Sequence, residues 1–248
     1  MNRLQLFRRI NTLVFYSSCV LLLVSCWHRN DFSESMSMQA GLAQDPQQLP
    51  VEEAAFSVVR DGVTYRVEPR YEYELQGLVV SYALHNPRYS LHRLWNDSLN
   101  VADLCVVWRD NARAQDLNRF KFWNGEFTCN FSTEDTAAWE RFRSDQISNN
   151  HLLADNDFQR RQIGKVRIGD QIRIRGWLAN YSNDKGFSRA TSNNRDDRGN
   201  GACETIYVRE FSILQSMQNG WRLLLMCALL GFASSSVVWV VAVVRGVF

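Results

Sequence analysis

The chain has 248 residues, 46% hydrophobic and 22% charged, with 28 Lys+Arg against 26 Asp+Glu for a formal charge of +2. That composition excludes a disordered chain and supports a folded domain with a sizeable core. So even a charge balance argues against bulk nucleic-acid binding.

The N-terminal segment carries Arg3, Arg8 and Arg9 ahead of an apolar stretch from Ile10 to Trp27. This pattern fits a signal anchor, a lipoprotein signal or a cleaved signal peptide. Leu23-Val24-Ser25-Cys26 resembles a bacterial lipobox, with Cys26 as the lipidation candidate. The length of the aliphatic run favours an uncleaved anchor over residues 1–28. At the other end, Leu223 to Val244 has neither charge nor proline, and Trp221 and Trp239 lie toward its two ends. As a helix it is about 33 Å long, enough for a hydrocarbon core of about 30 Å, so a second span is expected over 221–245.

Arginines flank both spans on their outer sides: three before the first, and Arg245 after the second. The positive-inside tendency then places both termini in the cytoplasm and the middle region outside it, at a bacterial inner membrane. All 26 acidic residues and 23 of the 28 basic ones fall in residues 28–220, for a net charge of −3. Of six cysteines, only Cys105, Cys129 and Cys203 belong to that region. An oxidising compartment permits one disulfide among them with one thiol left over. Cys105 and Cys129 lie in strand-like runs that can pair, and Cys203 can pair with either instead. There is no CxxC and no closely spaced histidine pair, so no metal or cofactor is expected.

Residues 29–54 lack a periodic apolar face and read as a polar linker. From Phe56 the pattern is β-rich. Asp61-Gly62 marks a hairpin turn. Tyr71 to Leu84 reads as a further strand with a bulge at Gly77, ended by Pro87. Leu91, Leu94, Trp95 and Leu99 share a helical stripe, predicting a short helix over 90–99. Leu104 to Trp108 is a buried strand, and a second hairpin turns at Asn124-Gly125. Ser132 is read as the cap of a short helix bearing Trp139 and Phe142, and residues 155–166 as another short helix. Gly169-Asp170 then turns into an alternating strand in which Ile172, Ile174, Gly176 and Leu178 face one way and Arg173, Arg175 and Trp177 the other. After the polar loop 183–202, residues 204–214 form a closing strand.

The string IGDQIRIRGWL, a loop, and IYVREFSIL are similar to strand pairs of OB-type small β-barrels, in which a Gly-Asp turn feeds an alternating strand that coils at a glycine. Two strings, SNNHLLAD (148–155) and RDDRGNGACE (195–204), resemble segments of uncharacterised bacterial membrane-anchored envelope proteins. These resemblances imply an envelope setting and an OB-like part at about 165–214, and carry over no activity. The expected fold is α+β and β-rich: a small barrel or antiparallel sheet over 55–220 with two or three short helices, flanked by transmembrane helices.

Three candidate sites emerge. Arg173, Arg175 and Trp177 on one strand face can grip an anionic or planar ligand, with Arg160, Arg161, Lys165 and Arg167 upstream. A solvated face of ion-paired arginines fits the same residues. The loop 183–202 carries Arg195 and Arg198, interleaved with Asp196 and Asp197, as binding candidates. Cys203 with His151 is a possible nucleophile pair, although the spacing links them by no geometry. No phosphate loop, GxSxG elbow or dinucleotide fingerprint is present. The expectation is a non-enzymatic, membrane-tethered envelope protein that binds a partner protein or an anionic envelope ligand. The alternative is an exported Cys/His-dependent hydrolase or transferase.

Overall fold

The computed structural model describes residues 3–85, 91–113, 116–192 and 203–246. In chain order the elements are α1 (Arg3–His28), β1 (Gln47–Pro50), β2 (Phe56–Arg60), β3 (Val63–Leu84), β4 (Asn100–Val107), α2 (Arg109–Arg113), β5 (Lys121–Asn124) and β6 (Cys129–Ser132). They continue with α3 (Thr136–Arg141), β7 (Ile147–Leu153), α4 (Asp157–Ile163), β8 (Gln171–Asn183), β9 (Ser188–Arg189), β10 (Cys203–Gln215) and α5 (Gly220–Val244). The architecture is α+β with a mixed sheet and five helices, and the chain divides into two compact units.

The first unit comprises residues 1–33 and 218–248. Its two helices, α1 and α5, are long and apolar enough to cross a membrane. They run antiparallel: Phe15 meets Phe232 at 5.2 Å, Asn11 donates to the Ser235 carbonyl, and His28 stacks on Trp221 at 4.7 Å. Small residues make the close approach. Ser18, Ser25, Ala228, Ser235 and Ala242 are buried, and side chains this small let two helix backbones come close. Asn219 caps α5 and also donates to the Arg29 and Asp31 carbonyls.

The second unit is Glu34–Met217. Its frame is β3, 22 residues long, which pairs with β8 through Tyr65 to Leu78 and with β4 through Leu78 to Leu84. β4 pairs with β7, β7 with β10, and β10 with β8, so the pairings starting from β3 return to it. Among the described strand pairs, only β7–β10 is parallel. The alternation read in β8 holds: Ile172, Ile174, Gly176 and Leu178 are buried, whereas Arg173, Arg175 and Trp177 are partly or fully exposed. Leu75, Val79, Leu104, Leu152, Ile172 and Ile206 belong to the main core. Burying each such side chain stabilises the fold by about 1.5–3 kcal/mol. Gly176 is needed where it stands, since a Cβ there would lie 2.1 Å from the Tyr207 carbonyl oxygen, next to a register shift in β10.

The Asp61-Gly62 turn is present, with both residues at positive φ. The Cys105–Cys129 disulfide forms with Cα atoms 5.4 Å apart, leaving Cys203 as a buried thiol. It ties the β5–β6 hairpin to β4, all eight residues of which are buried.

Several expectations need correction. Residues 34–54 are part of the folded unit rather than a linker: Leu42 is buried, and β1 pairs with β3. Their attachment is polar as well, with Asp45 accepting from Trp108 Nε1 and Gln171 Nε2 donating to the Ser37 carbonyl, and such bonds leave no apolar period to read. The helix expected over 90–99 is one 3₁₀ turn, Leu91–Arg93. Asn96 at φ 50° and the Asp97 carboxylate, which accepts from His92, turn the chain away, and Leu94 is 73% exposed while Leu99 is buried. Gly77 carries no bulge; the shifts fall between Pro69 and Tyr71 and between Val79 and Ser81. The helix read from Ser132 is capped by Asp135, whose carboxylate accepts from the Ala138 amide. The turn at Asn124-Gly125 extends to Thr128 and places Phe127 at φ 58°.

Candidate functional site

The arginine–tryptophan stripe is neutralised where it stands. Arg173 pairs with Glu74 at 2.8 Å, and Arg175 pairs with Glu74 at 3.2 Å and Glu210 at 3.5 Å. Burial would raise the Glu74 carboxyl, but the Arg173 guanidinium outweighs it and holds the group below the usual carboxylate range. Trp177 stacks on Tyr207 and carries Arg209 over its ring at 4.8 Å. A cleft of about 390 Å³ opens beside the stripe. Its wall holds three carboxylates, Glu72, Glu74 and Glu210, against two guanidiniums, Arg175 and Arg209, so its charge does not select an anion. Upstream, Arg160 spends one guanidinium nitrogen on the Ser98 and Ala154 carbonyls. Arg195 and Arg198, like Pro87 and Asn200-Gly201, lie outside the described residues.

The denser chemistry lies where β3 ends and β4, β7 and β9 converge. Asp103 and His151 face each other across the β4–β7 pair, joined Oδ1 to Nδ1 at 2.5 Å. Asn100 Nδ2 reaches the same oxygen at 3.1 Å, and His85 Nε2 lies 3.0 Å from it. Arg189, on β9, approaches His151 Nε2 at 2.7 Å. A guanidinium can only donate, so this nitrogen accepts and the imidazole proton sits on Nδ1, toward Asp103. Burial lowers the His151 pKa, and the Arg189 charge lowers it further against the pull of Asp103, which keeps the ring neutral. Burial pushes the Asp103 carboxyl up, but the His151 and His85 imidazoles more than reverse this and hold it far below the usual range.

Beside this chain lies a second one. Asp97 Oδ2 accepts from His92 Nδ1 at 2.9 Å and from the Tyr181 hydroxyl at 2.7 Å. The His85 and His92 rings lie 3.9 Å apart between centroids. The loop bearing His92 and Asp97 is held by Asn183, which donates to the Trp95 and Asn96 carbonyls, and by Tyr65, which donates to Asn96. Trp95, Phe127 and Phe187 pack together at its edge, with Arg189 over the Phe127 ring at 4.3 Å. Phe127 occupies left-handed backbone space, a conformation costing about 1–3 kcal/mol that tends to persist where surroundings impose it, often at functional sites.

Cys203 and His151 come close without forming an activated pair. They lie two positions apart on paired strands, and Asn149 Nδ2 reaches both, at 3.7 Å from Sγ and 3.4 Å from Nε2. The thiol instead donates to the Phe127 carbonyl, and burial raises its pKa. A nucleophilic cysteine needs the opposite shift. Cys26 stands exposed near the end of α1.

The histidine cluster was not found by sequence reasoning. A signal was available, however: Asp103 and His151 are ionisable residues inside otherwise buried strand runs, VADLCVV and NNHLL, where a polar group needs a partner. Comparison of the chain with known protein families, characterised proteins and solved structures gives no match to any of them.

Proposed function

We propose that the protein is a non-enzymatic module anchored in the bacterial inner membrane by α1 and α5. Both termini are cytoplasmic, and the β-rich domain stands on the oxidising side. The arginine flanks of the two helices and the Cys105–Cys129 bond support this topology. We read the circuit β3-β4-β7-β10-β8 as an OB-type barrel, with α4 between its third and fourth strands. Such barrels take ligands on the face of strands two and three, with the loops after strands one and four. Here those elements are β4, β7 and the segments following β3 and β8. They carry His85, His92, Asp103, His151 and Arg189.

That coincidence is the observation that carries the reading. The bound species is a partner protein or an anionic envelope component, taken at the end of the domain edged by Trp95, Phe127, Phe187 and Arg189 rather than on the neutralised stripe. A domain of net charge −3 is poorly suited to nucleic acid. The test is photo-crosslinking in intact cells, with the crosslinker at position 95 or at position 173, and a topology reporter fused after Phe248. The expected outcome is an adduct from position 95, none from position 173, and a cytoplasmic reporter signal. Adducts from position 173 alone, or an exported reporter, would overturn the reading.

A further inference from the structure

We propose that His85, His92 and Asp103 form a binding site for one zinc-class divalent transition-metal ion, with Asp97 and His151 as the groups that position its ligands. The inference stands on side-chain geometry and buried charge and does not depend on the tethering or partner reading. The ligand atoms of these three residues lie within 4.8 Å of one another. A tetrahedral zinc site with bonds of about 2.0–2.1 Å spaces its ligands about 3.3 Å apart. His85 Nε2 and Asp103 Oδ1 are already 3.0 Å apart.

Their alignment is the first telling feature. His85 Nε2 is buried and close to a carboxylate oxygen, yet it makes no hydrogen bond of acceptable geometry. Two ligands of one ion sit like this, close together with neither donating to the other. The second feature is His92. Its Nδ1 is committed to Asp97, so Nε2 is the nitrogen left to coordinate. A carboxylate on the far nitrogen is how metal-binding imidazoles are usually oriented and made more basic. Asp97 is itself fixed by the Tyr181 hydroxyl. Asp103 is likewise held, by His151 and Asn100.

Charge makes the third argument. Asp97 and Asp103 are both buried, at 2% and 1% exposure. Among the described residues, the guanidinium bonded to this cluster is that of Arg189, and it bonds to His151 rather than to either carboxylate. Buried carboxylates need compensation, and a dication held by two imidazoles and one carboxylate supplies it. Imidazole and carboxylate donors suit zinc and its neighbours rather than calcium or magnesium. Three protein ligands leave a coordination position for water or for a donor atom of a bound partner.

The test uses the full chain in detergent, stripped with a chelator and confirmed folded by its thermal melt and its intact Cys105–Cys129 bond. Zn²⁺ is titrated against a chromophoric chelator, and Co²⁺ is followed by visible absorption. One ion per chain is expected, with Co²⁺ bands of a low-coordinate site. His85→Gln and His92→Gln are each expected to weaken binding by at least about 100-fold, and Asp97→Asn by about 10–100-fold. His28→Gln, the remaining histidine, is expected to leave it unchanged. Folded wild-type protein that takes up neither ion would overturn the site, whatever the variants do. Wild-type affinity retained in the folded His85→Gln/His92→Gln double variant would also overturn it.

Discussion

The arginine stripe on β8 and the histidine–aspartate cluster on β4 and β7 hold similar numbers of ionisable groups, and they differ in nearly every physical respect. The stripe stands in water, where its cross-strand pairs are screened and weak. The cluster is buried, so each of its hydrogen bonds replaces hydration that the group cannot recover. The stripe follows from one strand's alternation, whereas the cluster is assembled from five segments of chain. Conspicuous charge and consequential charge therefore lie in different places in this molecule.

The contrast is broken most directly by Asp103→Ala. Removing one member of the buried network leaves His151 and Asn100 without their shared acceptor, and a loss of about 3–5 kcal/mol is expected in thermal or denaturant unfolding of the full chain. Next is the Cys105→Ser/Cys129→Ser pair. It reopens a loop with a sequence separation of 24, at an expected cost of about 3 kcal/mol. Its tryptophan fluorescence would show whether the hairpin that carries Phe127 still reaches Trp95. Gly176→Ala forces a Cβ onto the Tyr207 carbonyl and is expected to cost about 1–3 kcal/mol, separating backbone fit from electrostatics.

A fourth test uses pH. Both His151 and Asp103 have folded-state pKa values below their ordinary ones. In each case the unfolded chain binds protons more readily, so stability rises with pH. Their contributions are complete above about pH 6.5 for His151 and about pH 3.9 for Asp103, and are lost as pH falls below those values. With chelator present, His151→Gln should flatten the stability profile just below about pH 6.5 and spare the limb below about pH 3.9. An unchanged slope there would mean that His151 is not the titrating group. The smallest effect belongs to the stripe: Arg173→Ala is expected to cost less than about 1 kcal/mol, and less still at high salt. A cost matching that of Asp103→Ala would erase the distinction between the two regions.

Local regularity decided how much of this was legible. The two apolar helices, the Asp61-Gly62 hairpin, the alternation of β8 and the short helix α4 each rest on signals within one contiguous stretch of chain. Residues 34–54 and 91–99 carry no legible local signal because polar side chains hold them to distant backbone, as in Gln171 with Ser37 and Asn183 with Trp95. Such bonds have no period. Of the candidate residues, Cys105 and Cys129 met, Arg173 and Arg175 found glutamate partners, and Cys203 came near His151 with its thiol turned to a carbonyl.

The sequence by itself determined the two apolar helices, the β-rich middle, its slightly acidic charge and the set of cysteines able to pair. These depend on composition and on side-chain periods of 2 or 3.6, which neighbouring residues suffice to express. Only the tertiary structure decided that β3 is shared by β4 and β8, that Cys105 chose Cys129, and that three of the four histidines meet around Asp103. Those outcomes depend on strand register between segments far apart in the chain. Register is set by the whole core at once, because a shift of one residue would turn every buried side chain outward.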